Sequence, residues 1–193
     1  MYTVIGNNTS RAFRVLWALE ELGQPYEQDA VKPHSERVRA LSATGKIPVL
    51  LDGDEAITDS TAIMTYLADK HGQLTAPAGT LARARQDAMT HALLDEIDAV
   101  LWVAARHSFV LPEDRRMPAI KDSLKWEYER NLGPILDRRA GTYLMGEDFT
   151  VPDIILAHCL GWAKAAGFPS EHEGARDYLT ACRARPAFQR LAG

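Results

Sequence analysis

Cysteine is scarce in this chain of 193 residues: Cys159 and Cys182 are the only two. Two thiols give neither a disulfide framework nor a zinc-binding spacing, and they fit a reducing compartment. A basic surplus is also missing. The formal net charge is -4, which argues against a nucleic-acid partner, because phosphate contacts need a positive surface. No long apolar run occurs either. The most hydrophobic stretch, "VPDIILAHCLGWA", is interrupted by Asp153 and His158 and is too short to cross a bilayer. The opening "MYTVIG" reads as a strand and lacks the basic and apolar segments of a signal peptide. A soluble cytoplasmic protein without a membrane partner is expected. What remains is ordinary globular composition, 46% hydrophobic and 25% charged, long enough for one large domain or two modest ones.

The first part alternates strand and helix signals. Tyr2 to Ile5 reads as a strand. Arg11 to Leu22 reads as a helix, with Ala12, Val15, Leu16, Leu19 and Leu22 on one stripe and Phe13 and Trp17 on a second. Two stripes leave Arg14, Ala18 and Glu21 for solvent and predict a helix held between two layers. Gly23 ends it. "PYEQDAV" predicts a second strand and Ser35 to Leu41 a short helix. Ile47 to Leu51 and Glu55 to Ile57 predict a hairpin around Asp52-Gly53-Asp54, and Ser60 to His71 a third helix. The order β-α-β-α-β-β-α is that of a thioredoxin-like α/β domain, expected over residues 1–73.

"HGQLTAPAGT" has turn residues and no periodicity, and residues 74–82 read as a linker. Strand signals then vanish, so residues 83–193 are expected to form an all-α helical bundle. In "DFTVPDIILA", Thr150 fits a helix N-cap, Asp153 the third position of a capping box, and Phe149 a staple onto Ile154. Gly133-Pro134 is expected to disturb the preceding helix. His91 and Asp95, four apart on a helix, could hold a metal, but no third ligand is evident and no metal is expected.

In "GKIPVLLDGDEAITDSTAI", residues 45–63, Pro48 stands at the mouth of a strand, where proline survives only at an end, an edge or a bulge. Asp59-Ser60 follows the hairpin at a helix start, where N–H groups and the dipole favour an anion. Ile47-Pro48, Asp59-Ser60, "SRAFRVLWALEELGQPYE" and "DFTVPDIILA", in this order of elements, resemble the cytosolic glutathione transferases of bacterial and fungal type. The resemblance spans essentially the whole chain. It implies a cis Pro48 that leaves the main chain of Ile47 to pair with the cysteinyl backbone of glutathione, a short β-augmentation. It implies Ser60 on the γ-glutamyl carboxylate, with Asp59 in place of a commoner glutamate. Lys46 matches a family Lys or Gln that helps bind the tripeptide, and His34 lies where some classes contact its glycine carboxylate. Capping alone would also explain Asp59, and His34 could be merely solvated.

The chemistry implied turns on "GNNTSRAF". A free thiol has a pKa of about 8.5 and is mostly protonated at neutral pH. A hydroxyl donor at the start of the first helix would hold the thiolate of the co-substrate glutathione. Thr9 falls where serine-type classes keep their serine, and Ser10 beside it is the better cap, so both stay candidates. The loop has no sulfur, which excludes a dithiol mechanism. The second substrate, a small hydrophobic electrophile, is expected between the two domains, with Trp102, Arg106 and His107 as its helical wall. A homodimer that conjugates or reduces electrophiles is implied. Glutathione-dependent disulfide or peroxide reduction, and a scaffold without turnover, remain as alternatives.

Overall fold

The computed structural model describes residues 1–169 and 172–192. The chain divides into two compact units, Met1–Thr80 with Ala184–Gly193, and Leu81–Arg183.

The first unit is the expected thioredoxin-like fold. Its sheet runs β1 (Tyr2–Ile5), β2 (Tyr26–Asp29), β3 (Val49–Asp52) and β4 (Glu55–Thr58) in the chain, and β2-β1-β3-β4 in space. The β1-β2 pair is parallel and joined by helix α1 (Ala12–Glu21); β3 and β4 are antiparallel to their neighbours. Strand alternation sends side chains to both faces. Tyr2, Val4 and Leu50 pack with Val15, Leu16 and Leu19 of α1 and with Ile63 and Leu67 of α3 (Ser60–His71). Ile5 and Val49 face the other way, onto Val38 of α2 (Glu36–Leu41).

The outer side of α1 departs from expectation. Arg14 and Ala18 are fully buried, and Glu21 is nearly so. Over Phe13 and Trp17 lies α9 (Pro186–Ala192), whose Phe188 meets Trp17 and Phe13 edge to face at centroid distances of 4.9 and 5.7 Å. Arg185 clamps both carboxylate oxygens of Glu21 at 2.7 Å, and the indole N–H of Trp17 donates to Glu21 Oε1 at 3.0 Å. The second layer expected over Phe13 and Trp17 is therefore the C-terminal helix. That helix belongs to the first unit, whereas residues 83–193 had been expected to stand together.

The second unit contains α4 (Leu81–Leu93), α5 (Ala99–Ala105), α6 (Ile120–Asp137), α7 (Val151–Ala165) and α8 (Glu173–Arg183). One π-helical turn, Leu94–Asp98, joins α4 to α5, and another, Arg106–Val110, extends α5. The π-turn at Leu94–Asp98 is braced by Asn131, whose side-chain amide donates to Glu96 O. The expected break at Gly133-Pro134 does not occur, and α6 runs through both residues. Helix α7 is buried on nearly every side. Asp153 starts it by accepting from the Thr150 N–H and hydroxyl on Oδ2, and from Leu144 N–H and Tyr178 OH on Oδ1. Burial pushes this carboxyl up, and those hydrogen bonds oppose the shift. Among the described residues, no helix is long and apolar enough to cross a membrane, and no group of three metal-binding side chains occurs.

Candidate functional site

Strand register brings the site together. Ile5 pairs with Val49, and Val49 with Thr58. The residues next along the chain, Gly6, Pro48 and Asp59, therefore emerge side by side at one end of the sheet. Thr9, Ser10, Lys46, Ile47 and Ser60 lie within a few residues of them.

Gly6 makes this end tight. A Cβ there would lie 2.8 Å from the Cβ of Ala12 and 3.2 Å from that of Ile47, and its φ is +140°, which side chains rarely tolerate. The loop from β1 to α1 thus closes directly on Ile47. Gln28 fixes it from the side, donating through Nε2 to Gly6 O at 2.8 Å and to Asn8 Oδ1 at 2.6 Å. Sequence reasoning missed Gln28, and its exposed position on the edge strand gave no signal.

The two hydroxyl candidates separate here. Ser10 Oγ donates to Asn7 O at 2.8 Å and accepts from Ala12 N–H at 3.1 Å. Both its functions serve the turn into α1. Thr9 is exposed, and its hydroxyl donates to the side-chain oxygen of Asn7 at 2.9 Å. That partner is a side chain on the same loop, so a rotation about χ1 of Thr9 redirects the proton without opening the backbone. Asn7, also missed from sequence, is the residue that both hydroxyls use.

The Ile47–Pro48 peptide bond is cis. Among the described residues the main chain of Ile47 makes no hydrogen bond, so an N–H and a C=O stand ready for an extended peptide. Its approach is shaped by His34 and Gly45. His34 N–H donates to Gly45 O at 2.7 Å, and a Cβ on Gly45 would fall 2.4 Å from His34 Nδ1. The imidazole thus lies directly against the segment that leads into Lys46 and Ile47.

Asp59 has φ +70° and ψ 124°, a region that costs a non-glycine residue about 1–3 kcal/mol. Its Oδ1 accepts from Thr61 N–H at 2.9 Å and from Ala62 N–H at 3.0 Å, so its carboxylate caps α3. The next residue, Ser60, is almost fully buried, and neither its N–H nor its hydroxyl has a hydrogen-bond partner among the described residues. The helix start therefore keeps one N–H and one O–H for an anion.

Trp102, Arg106 and His107 belong to the second unit and are half-buried there. His107 Nδ1 accepts from Met117 N–H at 3.1 Å, and the buried Nε of Arg106 has no partner among the described residues.

Comparison with known proteins points to one family. The family described as "Glutathione S-transferase, N-terminal domain" matches residues 7–75. Glutathione S-transferase GstB of Escherichia coli K12 is 31% identical over 172 residues, covering 81% of this chain and 80% of the relative. A Dictyostelium discoideum protein bearing the name glutathione S-transferase alpha-2 is 28% identical over 150 residues, covering 77% of this chain and 66% of its own length. Among solved structures, the theta class glutathione S-transferase of Xanthomonas axonopodis pv. citri with glutathione bound superposes with a TM-score of 0.80. It is 26% identical, with 98% of this chain and 95% of that one covered.

Proposed function

Because this chain belongs to the glutathione S-transferase family, we propose that it binds glutathione at the shared end of its sheet and transfers it to small hydrophobic electrophiles. The observation that carries the reading is the convergence of two polar sets without partners among the described residues, the Ile47 main chain and the Ser60 N–H and hydroxyl, with the redirectable hydroxyl of Thr9. The cysteinyl backbone of the tripeptide pairs with Ile47, its γ-glutamyl carboxylate takes Ser60, and Lys46 and His34 meet its glycine end. Asp59 acts through the cap it makes on α3.

Thr9 then donates to the sulfur. One hydrogen bond to a charged acceptor contributes about 1.5–3 kcal/mol, and each pKa unit corresponds to about 1.4 kcal/mol, so a drop of one to two units follows. The thiolate attacks the electrophilic carbon; with a chloronitroarene a C–S bond forms and chloride leaves with the C–Cl electron pair. Arg106, His107 and Trp102 contribute to holding the electrophile. The family supports a homodimer, checked by sedimentation. Buried Cys159 and Cys182, not joined in a disulfide, fit the reducing cytoplasm.

Calorimetric titration with glutathione, followed by turnover of 1-chloro-2,4-dinitrobenzene, tests the proposal. Binding at or below millimolar concentration with conjugation is expected. Binding without conjugation, while a glutathione mixed disulfide or a hydroperoxide is reduced, would make the protein a reductase. Binding without any turnover would make it a scaffold, and no binding would overturn the reading.

A further inference from the structure

The parallel pair β1-β2 ends at Gly6. Ile5 pairs with Asp29, and Gly6 N–H continues the ladder by donating to Asp29 O at 2.9 Å. In a parallel ladder the N–H and C=O of one residue go to the two neighbours of its partner, so Gly6 O would accept from Val31 N–H. Val31 N–H instead turns back to Asp29 O at 2.9 Å. The last acceptor of the ladder, Gly6 O, is taken by the side chain of Gln28, which donates through Nε2 at 2.8 Å. A side-chain bond thus replaces a main-chain bond where the chain leaves for the loop that carries Thr9.

Alternation along β2 puts Gln28 on the same face as Tyr26, which packs against the apolar cluster that includes α1. Tyr26 reaches Glu20 near the C-terminal end of α1, and Gln28 reaches the loop before its N-terminal end. The second proton of the Gln28 amide goes to Asn8 Oδ1 at 2.6 Å. Gly6 and Asn8 flank Asn7. The main-chain oxygen of Asn7 takes the Ser10 N–H and hydroxyl, and its side-chain oxygen takes the Thr9 hydroxyl. One amide therefore brackets the residue on which both hydroxyls rest. The bracket needs two protons on one head group, which a primary amide supplies and a thioether does not.

We infer that Gln28 is a positioning residue for thiol activation: it holds Asn7 from both sides, and through Asn7 it sets where the Thr9 hydroxyl stands. The inference rests on the transferase reading above, in which Thr9 donates to the sulfur; the hold on the loop does not. Glutathione itself is bound in that reading by Ile47 and Ser60, on other segments of the chain. Loss of Gln28 therefore falls on the reactivity of the bound thiol and spares its affinity.

The test compares the full parent chain with Gln28→Met, Thr9→Ala and the variant that carries both. Thiolate ultraviolet absorbance of bound glutathione against pH is expected to show a pKa raised by about half a unit in Gln28→Met, and by more in Thr9→Ala. In the Thr9→Ala background Gln28→Met should add no further shift, because its effect runs through that hydroxyl. With 1-chloro-2,4-dinitrobenzene at neutral pH, kcat should fall about threefold in Gln28→Met while KM for glutathione holds. A thiol pKa unmoved by Gln28→Met, or shifts that simply add in the double variant, would overturn the inference. Amide hydrogen exchange across residues 6–12, without glutathione, examines the hold on the loop by itself. Gln28→Met is expected to speed exchange at Ser10 N–H, and equal exchange in the two proteins would overturn the hold whatever binds there. Faster exchange in a protein whose parent takes up no glutathione would refute the transferase reading, and would leave Gln28 as a tie on the loop with no part in activation.

Discussion

Two neighbouring hydroxyls, Thr9 and Ser10, differ in what their protons are already doing. Ser10 is tied into the backbone at both its donor and its acceptor, and Thr9 only to a side chain. Thr9→Ala is therefore expected to raise the thiol pKa of bound glutathione by about one to two units, read as thiolate ultraviolet absorbance against pH. Ser10→Ala should instead lower stability by about 1 kcal/mol as a lost turn contact and leave that titration in place. The reverse pattern would exchange the two roles. Ser60→Ala should weaken glutathione binding by about tenfold through the lost hydroxyl, with a thermal midpoint close to that of the parent. Unchanged affinity by calorimetry would make that hydroxyl structural only. The local geometry around the Ile47-Pro48 bond and the Asp59 cap on α3 was legible in sequence, because proline and an acidic cap carry strong backbone preferences. The difference in hydrogen bonding between Thr9 and Ser10 was not legible. It depends on where Asn7 O and Asn7 Oδ1 point, and on Gln28 reaching the loop from a strand 22 residues beyond Gly6.

Among the elements, α7 shows how one side chain can hold a helix start and a loop together. Asp153 is fully buried and takes four donors, two from Thr150 and one each from Leu144 and Tyr178. Removing it strands the buried Leu144 N–H and leaves the Tyr178 OH without its short bond, with a long one to the main-chain oxygen of residue 153 at 3.5 Å. Unsatisfied buried groups cost about 1–3 kcal/mol each, so Asp153→Ala is expected to lose at least about 3 kcal/mol in urea unfolding. Thr150→Ala should lose about 1 kcal/mol. Equal losses would mean that Asp153 acts as a cap and nothing more. The spacing of Thr150 and Asp153 disclosed this start in sequence, since a capping box is local. Helix α1 shows the opposite case. Its two apolar stripes were readable, but the burial of Glu21 was not, because the Arg185 that clamps it lies 164 residues later in the chain. Pro134 was misjudged for a related reason: a proline costs a helix one hydrogen bond and a local clash, and α6 is anchored on both sides of it by buried Leu132, Ile135 and Leu136.

At the scale of the whole molecule, helix α9 completes the first unit, and one titrating group reports on that closure. Tyr26 on β2 donates to Glu20 Oε1 at 2.9 Å, and the other oxygen of Glu20 accepts from Arg190 Nε on α9 at 2.5 Å. Burial, and then the Glu20 carboxylate, push the Tyr26 hydroxyl up to about 12. An unfolded tyrosine ionises near 10. Below pH 10 both states hold the proton, and the contribution of Tyr26 to stability is fully present. Between pH 10 and 12 the unfolded chain releases its proton first, so stability falls as pH rises through the folded value. Tyr128 and Tyr178 are raised by burial as well, and they add to the slope of the parent and of any variant alike. The comparison that isolates Tyr26 is thus the parent against Tyr26→Phe, by thermal midpoint from pH 9 to pH 12. The parent is expected to lose stability more steeply over this window, by at most about one proton's worth of slope, lessened because the hydroxyl is only partly shielded from solvent. Arg190→Gln should change the same window, since a cation beside Glu20 favours the ionised phenol and its loss moves the Tyr26 titration further up. Parallel curves for all three proteins would mean that Tyr26 is not held by Glu20, and with it that the outer face of α1 is not closed by α9 in solution.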